Sequence, residues 1–99
     1  GSYRPLFALG EIYLEGGDYE AAVESFIFSF LENPEYLDAL GALLKTYCRM
    51  YAGDAELIDN IEKLRDRMPA GYYGEIIGFL TNEKRYGAAH ACSVKHKVY

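Results

Sequence analysis

Two side chains near the end of the chain have a spacing that could serve a metal ion. Cys92 and His96 lie four positions apart, so on a helix they share a face. Thiolate and imidazole are both common zinc ligands. Two ligands do not make a site, and the spacing places no carboxylate or further histidine beside them, since His90 falls on another face. We therefore expect Cys92 to pack inside the protein and His96 to lie at its surface, with no metal bound.

Nucleophilic catalysis would need an activated side chain, and Cys48 is the candidate to consider. Neither a helix start nor an adjacent base in the sequence would lower the pKa of its thiol. The sequence also has no paired acid and base, no phosphate-binding loop and no catalytic triad. It predicts a chain that is not an enzyme and that uses no cofactor.

The totals bound the class of protein. Ninety-nine residues suit one domain, and no apolar run approaches the length that spans a membrane. A net charge of −5 argues against binding to nucleic acid. Two cysteines make no disulfide framework and no signal peptide is recognisable, so we expect a cytoplasmic protein. Gly1 and Ser2 look like a cloning scar, which leaves residues 3–99 as the domain and indicates an excised fragment.

Charge is distributed unevenly along the chain. The segment 1–34 holds six acidic side chains and one basic one, whereas the segment 70–99 holds two acidic and four basic ones. Two interpretations stay open. One is ordinary variation of a solvated surface, and the other is electrostatic attraction that joins copies head to tail.

Residues 6–34 define the elements that position these side chains. Apolar residues at helical spacing predict one helix, which Gly16 and Gly17 end, and Asp18 is placed to cap the next. Pro34 stops the second helix. Because each helix has an apolar face to bury, the two should pack as an antiparallel pair. These faces consist of Leu6, Leu9, Ile12 and Tyr13 on the first helix, and of Ala22, Val23, Phe26, Ile27 and Phe30 on the second.

The same pattern recurs downstream. Apolar spacing predicts a third helix over 37–51 and a fourth over 57–68, with Asp54 as a cap before the fourth and Pro69 as its stop. Pro34 and Pro69 thus end two successive copies of the pattern. A period of the size that separates them is typical of stacked helical hairpins.

The third copy is degraded. It has a short helix over 72–81, a turn over 82–85 and a last helix that reaches His96. Tyr86, at the start of that last helix, follows Tyr19 at a distance of nearly two periods.

The first copy closely resembles a tetratricopeptide repeat. Nine of its positions agree with the spacing of that family: Leu9, Gly10, Tyr13, Gly17, Tyr19, Ala22, Phe26, Ser29 and Pro34. The second copy has Leu44 at the family's glycine position and keeps Leu40, Tyr47, Gly53 and Pro69. The third keeps mainly Tyr86 and Ala89. The resemblance implies an all-α fold of antiparallel helical hairpins, about residues 3–34, 35–69 and 70–99, stacked in a right-handed superhelix.

The resemblance also implies a site, because in this family the first helix of each hairpin lines a concave groove that holds peptides or helices of other proteins. It places ten groove candidates in the first two hairpins: Arg4, Phe7, Ala8, Glu11, Leu14, Glu15, Asp38, Ala42, Lys45 and Arg49. Members that bind chaperone tails grip a carboxylate with lysine, asparagine and arginine, but the matching positions here hold Phe7, Glu11 and Ala42. We therefore expect a partner protein or peptide that is apolar or basic rather than acidic.

The sequence thus predicts a non-catalytic scaffold for protein–protein interaction. Two alternatives stay open: an accessory repeat domain of a larger enzyme, such as a bacterial glycosyltransferase, and a repeat that assembles with itself. The chain stops at Val98 and Tyr99 without the polar capping helix that usually finishes such arrays, so its last hairpin could form a homo-oligomer.

Overall fold

In the computed structural model the described residues, 2–96, are almost entirely helical. The helices are α1 (Tyr3–Glu15), α2 (Tyr19–Glu32), α3 (Leu37–Met50), α4 (Asp54–Leu64), α5 (Tyr73–Asn82) and α6 (Tyr86–His96). No strand occurs within this range, and neighbouring helices pack against each other, so the predicted all-α class is confirmed. The expectations for Gly1, as part of a cloning scar, and for the uncapped end at Val98 and Tyr99 lie outside the described residues.

The chain divides into two compact units, one that runs to Met50 and one that starts at Tyr51. In the first unit α2 packs against both α1 and α3. In the second unit α6 packs against both α4 and α5. Each unit therefore consists of one helix flanked by two others, and the stacking of three hairpins in a superhelix stays a prediction.

The first unit packs α1 closely onto α2 through a glycine. Gly10 is buried, and a Cβ atom at this position would lie 2.5 Å from the ring of Phe26, which is itself fully buried. Ser29, also fully buried, donates a hydrogen bond from its hydroxyl to the carbonyl of Tyr3 at 2.7 Å. The ring of Phe26 thus fills the space that the absence of a side chain at Gly10 leaves open, and Ser29 joins α2 to the start of α1.

One expected packing face is wrong in detail. Leu9 and Ile12 of α1 are 39% and 64% exposed, whereas Gly10 is the residue of this helix that is buried. The apolar stripe that the spacing predicts exists, but α2 packs on the neighbouring face because the helices approach most closely at Gly10. Helical periodicity identifies an apolar face and cannot say which neighbour covers it.

The turn between α1 and α2 follows the prediction. Gly17 adopts the left-handed conformation with φ of 81°, and Asp18 accepts a hydrogen bond on its carboxylate from the N–H of Ala21 at 3.3 Å. The predicted cap at Asp54 is wrong. Gly53 occupies the cap position of α4, and Asp54 is the first residue of the helix.

The carboxylate of Asp54 instead accepts a hydrogen bond from the side chain of Arg85, which lies in the turn between α5 and α6. The guanidinium of Arg85 donates to Oδ1 of Asp54 at 2.9 Å, to the carbonyl of Tyr51 at 2.8 Å and to the carbonyl of Ala52 at 3.0 Å. This one side chain ties the turn before α6 to the backbone that leads into α4.

The fourth helix ends earlier than the apolar spacing predicts. Its α-helical part stops at Leu64, a single 3₁₀ turn follows over Arg65–Arg67, and Met68 is extended with ψ of 153°. The predicted helical position of Met68 is therefore wrong. Its backbone is extended because the ring of Pro69 disfavours the helical conformation in the residue before it.

Candidate functional site

The ten predicted groove residues lie on α1 and α3 of the first unit, two helices that contact each other as well as α2. Each of the ten is at least partly accessible. The exposed ones are Arg4, Ala8, Glu11, Glu15, Asp38, Lys45 and Arg49, and the half-buried ones are Phe7, Leu14 and Ala42. The structure brings these positions onto two adjacent helices, and their binding of a partner stays a prediction.

Three aromatic rings meet where α1 starts and where the chain enters α3. The ring centroids of Tyr3 and Tyr36 are 5.2 Å apart, and those of Phe7 and Tyr36 are 5.3 Å apart with the rings nearly perpendicular at 88°. Phe7 also lies 5.6 Å from the ring of Phe26 in α2. All three members of this aromatic cluster (Tyr3, Phe7 and Tyr36) are half-buried, so part of each ring is open to solvent.

Tyr36, like Tyr3, is not among the ten predicted groove residues. It lies in the connection between α2 and α3, where its N–H donates to the carbonyl of Asn33 at 3.0 Å and its carbonyl accepts from the N–H of Ala39 at 3.2 Å. Tyr36 follows Tyr3 at close to one repeat length. A search for aromatic pairs at that separation would have found it.

Charged side chains surround the aromatic cluster. The Nε group of Arg4 donates a hydrogen bond to the hydroxyl of Tyr3 at 3.2 Å, and the guanidinium carbon lies 5.7 Å from the centroid of that ring. This hydrogen bond lowers the pKa of Tyr3 and raises the pKa of Arg4. Partial burial raises the pKa of Tyr36, and the negative charge of Asp38 adds to this effect. Arg4 opposes it, and Glu11 adds to it more weakly.

A second group of polar side chains joins the three helices of the second unit. Nε2 of His96 in α6 lies 2.6 Å from Oε1 of Glu62 in α4, and the ring of Tyr73 in α5 stacks on the imidazole with centroids 3.6 Å apart. Arg65 lies 3.7 Å from the other carboxylate oxygen of Glu62, and Lys95 lies 4.0 Å from Oε1. The carboxylate of Glu62 is therefore the centre of this group.

Two expectations about His96 are wrong. Its side chain is only 10% exposed rather than at the surface, because Tyr73 covers one face of the imidazole. A carboxylate does lie beside it, but Glu62 comes from a different helix, which spacing along α6 cannot reveal. Glu62 precedes His96 by one repeat length, so a search for partners at that separation would have paired them. Within residues 2–96 no group of three or more His, Cys, Asp or Glu side chains is placed to hold a metal ion.

Cys92 is fully buried, as the sequence analysis predicted. Burial raises the pKa of its thiol, and the negative charge of Glu62 adds to the rise. A thiol in this state is protonated near neutral pH and is a poor nucleophile. The cysteine on the same helix as His96 is therefore not activated for attack.

The second unit also has a small pocket of about 210 Å³. Its lining is mostly apolar and comes from α4, α5 and the segment between them: Ile61, Leu64, Met68, Pro69, Ala70, Tyr72, Tyr73 and Ile76, with Arg65 and Asp66 as charged members. Pockets that hold small-molecule ligands usually measure about 300–1,000 Å³. A pocket of this size suits one apolar side chain. Because Arg65 and Asp66 have opposite charges, the lining indicates no preference for a ligand of either charge.

None of the helices within residues 2–96 combines the length and the apolar character that crossing a bilayer requires. No protein-family model, no curated protein and no solved structure matches the chain.

Proposed function

We propose that the chain is a non-catalytic protein-binding module, and that a peptide or helix of its partner lies on the face shared by α1 and α3. The observation that carries the proposal is the aromatic cluster of Tyr3, Phe7 and Tyr36, whose rings pack together and yet remain partly open to solvent. Half-exposed aromatic side chains offer large contact areas at a small cost in conformational entropy and are enriched at protein interfaces.

The exposed side chains around the cluster support the choice of partner. Glu11 on α1 and Asp38 on α3 are exposed acidic groups of the same two helices near the cluster, and Glu15 is an exposed acidic group at the far end of α1. Lys45 and Arg49 lie toward the other end of α3. A partner that places apolar or basic residues against the aromatic end of the face would meet complementary charge, whereas an acidic partner would be repelled there.

The proposal can be tested by selecting peptides from a random display library on the purified chain and mapping the bound peptides by NMR. We expect enriched peptides whose binding shifts the backbone signals of α1 and α3. The double substitution Phe7→Ala, Glu11→Lys should abolish their binding, because it removes a ring of the cluster and reverses a charge.

A matched control reverses one charge elsewhere. Glu20→Lys alters an exposed residue at the start of α2, the end of that helix remote from Tyr3, and should leave peptide binding unchanged. Circular dichroism must show that the double variant is folded, because Phe7 also packs on Phe26. Selected peptides that bind the double variant as well as the unaltered chain, or that map away from α1 and α3, would overturn the proposal.

A further inference from the structure

We propose that the aromatic cluster, together with Glu11 and Asp38, forms a cation seat that holds a lysine or arginine side chain of the bound partner. The cation seat is defined by five residues: Tyr3, Phe7, Glu11, Tyr36 and Asp38. The inference rests on the proposed function, because it names the chemical group that the face of α1 and α3 recognises. It goes further by assigning that recognition to one end of the face.

The geometry of the rings fits a cation. The positively charged group of lysine or arginine is attracted to the face of an aromatic ring when it lies within about 6 Å of the centroid. Arg4 already lies at 5.7 Å from the centroid of the Tyr3 ring, so this cluster accepts a guanidinium in the folded chain. The near-perpendicular rings of Phe7 and Tyr36 present a face and an edge in different directions, which leaves more than one ring surface for an incoming side chain.

Two carboxylates complete the cation seat from separate elements. Glu11 lies four positions after Phe7 on α1, so the two side chains lie on the same face of that helix one turn apart. Asp38 lies in the first turn of α3, two positions after Tyr36. Both are exposed, and the charges of both act on the hydroxyl of Tyr36. A cation on the solvent-exposed side of the rings would therefore be attracted by carboxylates on both helices.

The charge of the surrounding unit points the same way. Residues 1–50 hold eight acidic side chains and three basic ones, of which only Arg4 lies at the cation seat. Arg4 weakens the binding of a second cation in two ways: it occupies one face of Tyr3, and its charge repels another cation. We therefore expect Arg4 to limit the affinity of the seat, so that its removal strengthens the binding of a basic side chain.

The experiment uses small probes of defined charge and follows the aromatic ring signals by NMR. The probes are Nα-acetyl-lysine methylamide, its arginine equivalent, the uncharged norleucine equivalent and the acidic glutamate equivalent. We expect the two basic probes to shift the rings of Tyr3, Phe7 and Tyr36 in a saturable way. The norleucine and glutamate probes should bind at least about fivefold more weakly, because they lose the attraction to the rings and to the carboxylates.

Variants separate the contributions. The double substitution Glu11→Gln, Asp38→Asn should weaken the basic probes about fivefold and leave the norleucine probe unchanged. Arg4→Met should strengthen the basic probes about threefold, because a repelling charge is lost. Glu20→Gln removes an exposed carboxylate at the start of α2, the end of that helix remote from the cation seat, and serves as the control, with no expected change beyond the general electrostatic effect.

Three results would overturn the cation seat. They are equal binding of the norleucine and lysine probes, the absence of saturable ring shifts with either basic probe, and basic-probe affinities that the Glu11→Gln, Asp38→Asn variant leaves unchanged. Failure of the cation seat can be distinguished from failure of the proposed function. Display-selected peptides that map to α1 and α3 but show no preference for a basic residue would remove the cation seat alone, whereas peptides that map elsewhere would remove both.

Discussion

The turn that follows α1 and the turn that follows α5 close with the same four backbone hydrogen bonds, shifted along the chain by nearly two repeat lengths. In the first, the N–H groups of residues 16, 17, 18 and 22 donate to the carbonyls of residues 12, 14, 13 and 18. In the second, residues 83, 84, 85 and 89 donate to residues 79, 81, 80 and 85. The left-handed position is Gly17 in one turn and Lys84, with φ of 62°, in the other.

The side chains of the two turns differ although the backbones agree. Asp18 caps its own helix α2, so the first turn is stabilised within a few residues. Arg85 stands at the matching position of the second turn and bonds to Tyr51, Ala52 and Asp54, which are distant in the sequence. One hairpin is thus stabilised locally, and the other depends on a long-range contact with the chain before α4.

Removing the side chain next to the left-handed residue tests this difference most strongly. Arg85→Ala should lower the free energy of unfolding by about 2 kcal/mol, because hydrogen bonds from a charged donor to two carbonyls are lost. The ion pair with half-exposed Asp54 adds little to this figure because of solvent screening. Asp18→Ala should cost about 1 kcal/mol, the usual value of a helix cap. Urea unfolding followed by circular dichroism measures both, and an Arg85→Ala loss no larger than that of Asp18→Ala would contradict the long-range interpretation.

The helix contact inside each hairpin provides the next comparison. Gly10→Ala should lower the free energy of unfolding by about 1.5 kcal/mol, since the added Cβ would lie 2.5 Å from the ring of fully buried Phe26. The matched control is Gly78→Ala in α5, where nothing lies within 4 Å of an added Cβ, and it should raise stability by about 1 kcal/mol. Thermal unfolding of both variants gives the direction of each change, and an increase in stability in both would show that helix propensity, and not the close approach at Gly10, decides.

A polar residue at a packed position of the hairpin of α5 and α6 gives a smaller effect. Tyr73 corresponds to Leu6 of the first hairpin by the same shift that relates the two turns, and its buried hydroxyl has no hydrogen-bond partner within the described residues. Tyr73→Phe should raise the free energy of unfolding by about 1 kcal/mol near neutral pH, because an unsatisfied buried hydroxyl is removed.

The same variant changes the response to alkaline pH. Burial raises the pKa of Tyr73, the charge of Glu62 adds to the rise, and Arg65 opposes it. The folded chain holds this proton more tightly than the unfolded chain does. The free energy of unfolding is therefore unaffected by this group below pH about 10 and falls as the pH rises above that value. The advantage of Tyr73→Phe should therefore increase above pH about 10, and urea midpoints at about pH 7 and about pH 10.5 measure it. An advantage that stays constant would contradict the assignment.

The left-handed position gives the smallest expected change. Gly17→Ala should cost about 1 kcal/mol, because an L-residue with a Cβ is disfavoured there. Lys84→Gly should raise stability by about 0.5 kcal/mol, since relief of the left-handed lysine outweighs the greater freedom of glycine in the unfolded chain. Differential scanning calorimetry of the two variants sharpens the comparison. Destabilisation by Lys84→Gly would mean that the lysine side chain contributes contacts of its own.

Much of the fold could be predicted because its signals are local. The apolar spacing, Pro34, and the glycine pair before Asp18 place the ends of the first two helices within a few residues of those observed. Where a local rule competes with another, the prediction fails. Apolar spacing extended the fourth helix to Met68, but the ring of Pro69 determines the backbone of that residue.

The candidate site was less predictable because its contacts join residues about one repeat length apart. Tyr36 beside Tyr3 and Glu62 beside His96 are both pairs of this kind, so no pattern within a single helix indicates them. The resemblance to a repeat family indicates which helix positions share a face. It cannot identify a residue such as Tyr36, which lies in the connection between two helices.

Chemical labelling of the buried thiol of Cys92 can measure how often the second unit opens. Its raised pKa and complete burial mean that an added disulfide reagent can reach it only when the helices around it separate. If closing is fast relative to labelling, the modification rate reports the fraction of molecules that are open at any moment. The half-buried Cys48 labels separately in the first unit, so peptide mass mapping would follow both units in one sample without unfolding the protein.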